Sequence, residues 1–332
     1  MRHFFATAAA LIALSSPVAA EARNIIITND DGLTSNVVAL YKALKAEGHD
    51  VIVAVPCQNQ SGMGAALGLR PLTTLETACR NNAAGVGAPG AGPMTHEGLK
   101  TEGFGADFHY VNSTPVMALL FGLDVVAMKR WGAAPDLVLS GPNEGQNVGA
   151  IVISSGTVSN AQFATLRGLP AIALSAGQNS AGPDLANAIS LVVAEQTADL
   201  IGALDKAAKG GRILPEGLAL NINFPDDSKN AAFCASQIGT YNGYALSFAE
   251  NMAAAASPEM KEMAKAYGQD IPALPGILFG LNSAKPADDQ MRDESVLYKS
   301  CIAVSPMQAG YGMADSASNG FAAFFSTISV KP

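Results

Sequence analysis

Two acidic residues, Asp30 and Asp31, follow directly on the apolar run "NIIIT" and precede a glycine. Adjacent carboxylates repel, and burial strengthens the repulsion because the surrounding dielectric is low. Such a pair at the end of a buried strand asks for a positive charge, and a hard divalent cation takes carboxylate and amide oxygens. Three more polar, glycine-containing stretches follow. "NQSGMG", 59–64, places Ser61 in a loop whose glycines let backbone approach a ligand closely. "SGPNEGQNVG", 140–149, spaces Asn143 and Asn147 four apart. An Asn oxygen ligates a hard metal without adding charge, and an Asn amide donates to phosphate. "SSGTVSN", 154–160, opens a helix with Ser155, Gly156 and Thr157, and free N–H groups at a helix start hold anions. Taken singly, each stretch is also an ordinary turn or cap. Together they describe a carboxylate-bound cation beside an anion site, an arrangement that hydrolyses phosphate esters.

For these segments to meet, regular elements must carry them. Val37, Leu40, Tyr41 and Leu44 recur at helical spacing with Gly48 as the stop, and "DVIVAV", 50–55, is a buried strand, which makes a βαβ unit. Residues 56–107 are rich in Gly, Ala, Pro and Asn and predict an active-site loop followed by a surface excursion. Thr114 and Pro115 predict a helix start. Strands follow at 135–141, 170–175 and 218–224, with helices at about 157–167 and 183–208. Apolar strands alternating with helices specify an α/β fold, a mainly parallel sheet covered on both faces. Ligands bind beyond the carboxyl ends of such strands, where Asp30, Asp31, Ser61, Asn143 and Asn147 would converge. Beyond Pro225 the pattern weakens, and residues 226–332 predict an extended C-terminal lobe with hairpins that could pair with another subunit. Asp226, in the turn after the last strand, is expected to lie outside the site.

"NDDG", "NQSG", "APDLVLSGPNEGQNVG", "SGTVSNAQFATLRGLPAIALS" and "LALNINFP" occur in the order and approximate spacing of the SurE family of metal-dependent phosphatases and nucleotidases, which the chain resembles over about residues 24–225. The resemblance implies a doubly wound, Rossmann-like catalytic domain over 21–225, a protruding C-terminal lobe and a homo-oligomer, dimer or tetramer. It also implies that Asp30, Asp31, Ser61 and Asn143 bind a divalent cation (Mg, Mn or Ca), with Asp30, Asp31 and Asn143 catalytic. Asn147, Ser155, Gly156 and Thr157 match positions lining the phosphate site, and the substrate is a phosphate ester, for instance a nucleotide. Where cytoplasmic bacterial members read Gly-Thr-Pro-Thr-Asp-Cys, this chain has "NSTPVM", 112–117, and it looks more like a secreted, acid-phosphatase-like branch. A periplasmic solute-binding protein would share the α/β pattern but has two similar lobes. A SurE-like protein with weakened catalysis would not need the retained ligand set.

Composition narrows the remaining choices. Of 332 residues 49% are hydrophobic and 14% charged, which supplies a core and excludes a disordered chain. The net charge of −8, with no Lys/Arg cluster, disfavours nucleic-acid duplexes as partners. Residues 1–20 read as a signal peptide: Arg2, an apolar stretch too short to cross a bilayer, then Val18-Ala19-Ala20 before cleavage. The expected location is periplasmic or secreted, with no membrane partner. Export makes the four cysteines candidates for two disulfides. Of the three possible pairings, Cys57 with Cys79 would staple the Ser61 loop, leaving Cys234 and Cys301 to close the second lobe.

Overall fold

The computed structural model describes residues 22–182, 184–266 and 270–312. The segment read as a signal peptide lies outside them. The first half contains β1 (Asn24–Thr28), α1 (Ser35–Ala46), β2 (Asp50–Pro56), β3 (Ala91–Pro93), α2 (Glu97–Thr101) and β4 (Phe108–Val111). A helix with a wider π turn in its middle follows, as α3 (Pro115–Phe121), Gly122–Ala127 and α4 (Met128–Trp131). Next come β5 (Leu137–Glu144), α5 (Gly156–Leu166), β6 (Ala171–Ala176), α6 (Ala188–Ala208) and β7 (Leu218–Asn223). The chain continues through β8 (Phe233–Ala235), β9 (Tyr244–Ala249), α7 (Met252–Ala255), α8 (Pro258–Ala266), β10 (Gly276–Leu281), α9 (Glu294–Leu297) and β11 (Ile302–Gln308).

Among the described residues nine strands form one sheet in the order β3-β4-β2-β1-β5-β6-β7-β11-β8. β3–β4 and β7–β11 are antiparallel and the other pairs parallel. Alternation along the strands divides the core in two, because successive side chains point to opposite faces. Ile25, Ile27, Val51, Val53, Leu137 and Leu139 meet the α1–α6 face, packing with Val37, Leu40, Val193 and Ile201. Ile26, Ile52 and Val138 turn the other way, onto Leu119, Leu123, Val158 and Ala161 of the α3–α5 layer. Each such fully buried aliphatic side chain is worth about 1.5–3 kcal/mol of burial, so apolar residues without a polar alternation are what a strand covered on both sides requires.

From β1 the chain moves outward to β2 and β4, then returns to β5 on the other side of β1. The crevice beyond the carboxyl ends of β1 and β5 is therefore the topological switch point, where doubly wound sheets bind ligands. Asp30 and Asp31 leave the end of β1, and Asn143 and Glu144 end β5.

Three expectations need correction. The strand expected at 135–141 runs on to Glu144, because a bulge between Ser140 and Asn143 restores pairing of Asn143 with Ser175 and Glu144 with Ala176. At the bulge Gly141 has φ 112°, and a Cβ there would lie 2.1 Å from the Leu174 carbonyl oxygen. The helix expected from 183 starts at Ala188, where the Asn187 side chain accepts from the Ile189 N–H. Residues 226–332 are not wholly a separate lobe. β11 pairs with β7 and β8 with β11, so among the described residues only the β9–β10 hairpin, with α7 and α8 packed on it, stands apart from the main sheet.

Both disulfides join the cysteines that sequence reasoning paired, Cys57 with Cys79 and Cys234 with Cys301. No helix among the described residues is long and apolar enough to cross a membrane.

Candidate active site

The turn that presents the acid pair is built by Asn29. Its side-chain amide donates to the Gly32 carbonyl (2.7 Å) and its oxygen accepts from the Gly32 N–H (3.0 Å). This closes the turn from one side chain and leaves both aspartate side chains to other partners. Both are buried, at 3% and 2% exposure. The Asp30 carboxylate receives the Thr157 hydroxyl at 2.5 Å and faces the N–H groups of Gly156 and Thr157 at the start of α5. The Asp31 carboxylate receives the Asn59 amide and the Glu144 N–H, each at 2.9 Å.

Burial pushes the Asp30 carboxyl up, against the lowering effect of its Thr157 and helix-start donors. Asp31 is raised well above the usual carboxylate range, first by burial and then by the charges of Asp30 and Glu144. Two buried acids in contact resist ionising together unless a positive charge joins them.

Asn143 donates to the Gly145 carbonyl at 2.7 Å, while its side-chain oxygen is buried with no partner. An orphaned amide oxygen is costly, and a cation is the ligand that would satisfy it without a donor. Ser61 is exposed, its N–H donating to the Asn59 oxygen at 2.8 Å, so Asn59 ties the Ser61 loop to Asp31. Two carboxylates with neutral hydroxyl and amide oxygens suit a hard cation. Among the described residues no cluster of three or more His, Cys, Asp or Glu has metal-holding geometry, so the neutral oxygens would have to complete any such site.

A cavity of about 780 Å³ opens over these groups. Asp30, Ser61, Asn143, Asn147 and Ser155 form its polar end. Asn147 is fixed at both backbone atoms, its N–H donating to the Asn223 oxygen (2.8 Å) and its carbonyl accepting from Asn221 and Asn223. The Ser155 oxygen caps α5, accepting from the Val158 N–H at 3.1 Å. Gly156 and Thr157 lie beside Asp30 at the start of α5. Their donors serve Asp30, and neither lines the cavity. Gly156 matters for space, since a Cβ there would fall 2.7 Å from the Asp30 Cβ and from the Pro115 ring. Asp226 is closer than expected: it accepts from Gln146, which lines the cavity, at 3.0 Å.

The opposite wall comes from the hairpin. Antiparallel register sets Phe248 beside Ile277 and Leu246 beside Phe279, all on one face. Phe248 is 74% exposed, so this face is apolar and open. A second cavity, of about 540 Å³, lies where Met252 and Met260 meet Asp31, and it shares Ser61, Glu144 and Gln178 with the first. Among the described residues no Lys, Arg or His lines either cavity.

Sequence reasoning missed Asn59, Glu144 and Arg80, and it expected hairpins in the C-terminal lobe without placing one at the cavity. Glu144 was signalled by its place beside Asn143. Arg80, which donates to the Asp31 carbonyl at 2.9 Å, carried no local motif.

Fold and site together define a doubly wound α/β protein with an oxygen-donor pocket at its switch point. The crystal structure of the SurE protein from Aquifex aeolicus has the same fold at a TM-score of 0.60, with 20% identity, covering 91% of this chain and 99% of that one. The chain belongs to the SurE family, whose model, described as Survival protein SurE, matches residues 25–257. Members of that family depend on a divalent metal. The chain is similar to an acid phosphatase of Yarrowia lipolytica, 36% identical over 210 residues, 60% of this chain and 56% of that protein. It is also similar to proteins named 5'-nucleotidase SurE. The one from Solidesulfovibrio magneticus is 31% identical over 225 residues, 66% of this chain and 73% of that protein, and the one from Lawsonia intracellularis is 31% identical over 209 residues, 62% and 67%.

Proposed function

We propose that the protein is an exported phosphomonoesterase that works with a divalent cation held by Asp30, Asp31, Ser61 and Asn143. One observation carries this reading: buried Asp30 and the orphaned Asn143 oxygen face one cavity and buried Asp31 the adjoining one, and no basic residue among the described residues lines either. A phosphate dianion entering such a pocket is repelled unless a cation accompanies it. When bound, the cation would polarise the phosphoryl oxygen and lower the pKa of water, and Mg, Mn and Ca all suit the donor set.

The chain's own groups do the rest. Thr157 and the start of α5 hold the Asp30 carboxylate in one orientation, and Asn59 with the Glu144 N–H does the same for Asp31. Asn147 and Ser155 donate to the remaining phosphate oxygens from positions fixed by Asn221, Asn223 and the helix cap. The alcohol part of the ester lies toward Leu246, Phe248, Ile277 and Phe279, whose carbon surface favours a broad apolar or planar group such as a nucleoside. Export is supported by the signal-like residues 1–20 and by the two disulfides.

A panel of phosphate monoesters, assayed after EDTA treatment and after adding back Mg, Mn or Ca, tests the reading. Activity should vanish with EDTA and return with the ion. Asp31→Asn should lower activity by at least roughly 10–100-fold, the scale of losses from disturbed metal sites. Asp124→Asn, which alters an exposed pair with Arg167 and lines neither cavity, should leave it unchanged. Hydrolysis that persists in excess EDTA would refute the metal.

A further inference from the structure

Behind the acid pair stands a cation that lines neither cavity. Arg80 follows Cys79 directly, and its guanidinium forks to two chain segments. One nitrogen donates to the Asp31 backbone carbonyl at 2.9 Å, and another to the Glu144 carboxylate at 2.7 Å. Glu144 in turn gives its N–H to the Asp31 carboxylate, so the three residues close a ring joining the end of β1 to the end of β5. The side chains of Arg80 and Glu144 are only 23% and 8% exposed. The backbone around Arg80 is equally tied. Its N–H donates to the Cys57 carbonyl at 2.8 Å beside the Cys57–Cys79 disulfide, and the neighbouring Asn81 side chain donates to the Leu33 carbonyl at 2.9 Å.

We infer that Arg80 is a positioning residue that clamps the Asp30–Asp31 turn to the Asn143–Glu144 strand end, and that the Cys57–Cys79 disulfide fixes where it stands. The inference rests on the cation site proposed above. Asp31 and Asn143 come from chain segments more than a hundred residues apart, and a ligand set binds tightly only when its donors are held before the ion arrives. A planar fork with several donors can grip acceptors on both segments at once, whereas an ammonium is a point charge. Without Arg80 the Glu144 carboxylate, one oxygen of which is already buried and unpartnered, becomes an unpaired charge beside Asp31. The expected result is a site that still forms but in which Asp31 and Asn143 no longer hold their relative positions.

Binding of Mn²⁺, followed by electron paramagnetic resonance of the free ion, reads the site without turnover. Wild type, Arg80→Ala, Arg80→Lys, Asp31→Asn and the Cys57→Ser/Cys79→Ser double variant would be compared, each with a melting curve. Arg80→Ala should weaken Mn²⁺ binding roughly 10–100-fold, as loss of outer support does at metal sites, with Arg80→Lys recovering part of the loss. The double Cys variant should move affinity the same way, and adding Arg80→Ala to it should cost less than in wild type, because the two changes act on one device. Unchanged Mn²⁺ affinity in Arg80→Ala, with Asp31→Asn still losing the ion, would overturn the clamp alone. Full recovery by Arg80→Lys would assign the effect to charge and overturn it too. Wild type that binds no Mn²⁺ would overturn the cation site and the clamp with it.

Discussion

Glu294 lies at the start of α9 with no exposed surface, and burial pushes its carboxyl from an ordinary value of 4.5 up to about 7. Asn221 donates to one of its oxygens at 2.9 Å, and the Ser305 hydroxyl and Gly149 N–H also favour the charged form, but less than burial opposes it. The other oxygen has no partner. The folded state therefore keeps a proton that the unfolded chain has lost between pH 4.5 and about 7. Stability is full below the lower value and falls as pH rises through the upper one. A gap from 4.5 to about 7 corresponds to about 3 kcal/mol of lost stability. Glu294→Gln keeps the shape and the acceptor for Asn221 while removing the ionisation. Urea unfolding of wild type and variant at pH 5 and pH 8, at fixed salt, measures the effect. The two proteins should be nearly equal at pH 5, and the variant should be more stable at pH 8 by about 3 kcal/mol. A difference that does not change between the two pH values, or a variant that is weaker at pH 8, would refute the reasoning.

Gly156→Ala should reverse the usual preference for Ala in a helix: the added methyl meets Asp30 and Pro115 at 2.7 Å, so activity should fall at least tenfold and the melting temperature should not rise. Cys234→Ser/Cys301→Ser opens a loop with a sequence separation of 67 and should cost about 4 kcal/mol on the chain-entropy model, read by urea unfolding under non-reducing conditions. A loss below about 1 kcal/mol would show that β8 and β11 hold together without the bridge.

The strands of the first half were legible because a parallel sheet with both faces covered needs unbroken apolar runs, and "IIIT", "VIVAV" and "LVL" supply them. The acid pair was legible for the opposite reason: two charges in a row after such a run are costly without a partner. The return of the chain to the sheet was not legible. β8 has three residues, too few to show a strand period, and although "CIAVSP" reads as strand-like, nothing in it signals that β11 pairs with β7. Hairpins were expected in the C-terminal lobe, but the bounds of this one were hidden because α7 and α8 separate its strands, leaving no two-residue turn to read. At the site, Ser155 and Asn147 line the cavity, whereas Thr157 turns to Asp30 because a buried carboxylate outcompetes a solvated cavity for a hydroxyl. The Arg80 ring depends on contacts between residues 31, 80 and 144, and no window of local sequence contains all three.

The antiparallel seating of β11 against β7 bears on how the chain can be divided. Its register runs from Ala303 opposite Asn223 to Gln308 opposite Leu218, so it covers the whole length of β7. A fragment ending near Pro225, where the sequence pattern fades, would leave that row of N–H and C=O groups bare on an apolar strand. Exposed edges of this kind recruit strands from other molecules. At the opposite margin β3 is three residues long and ends in Pro93, two features that blunt pairing. The intact sheet is thus protected at β3 by brevity and proline and at β7 by its own distant tail, and a truncated catalytic core should aggregate even if its active-site residues are all present.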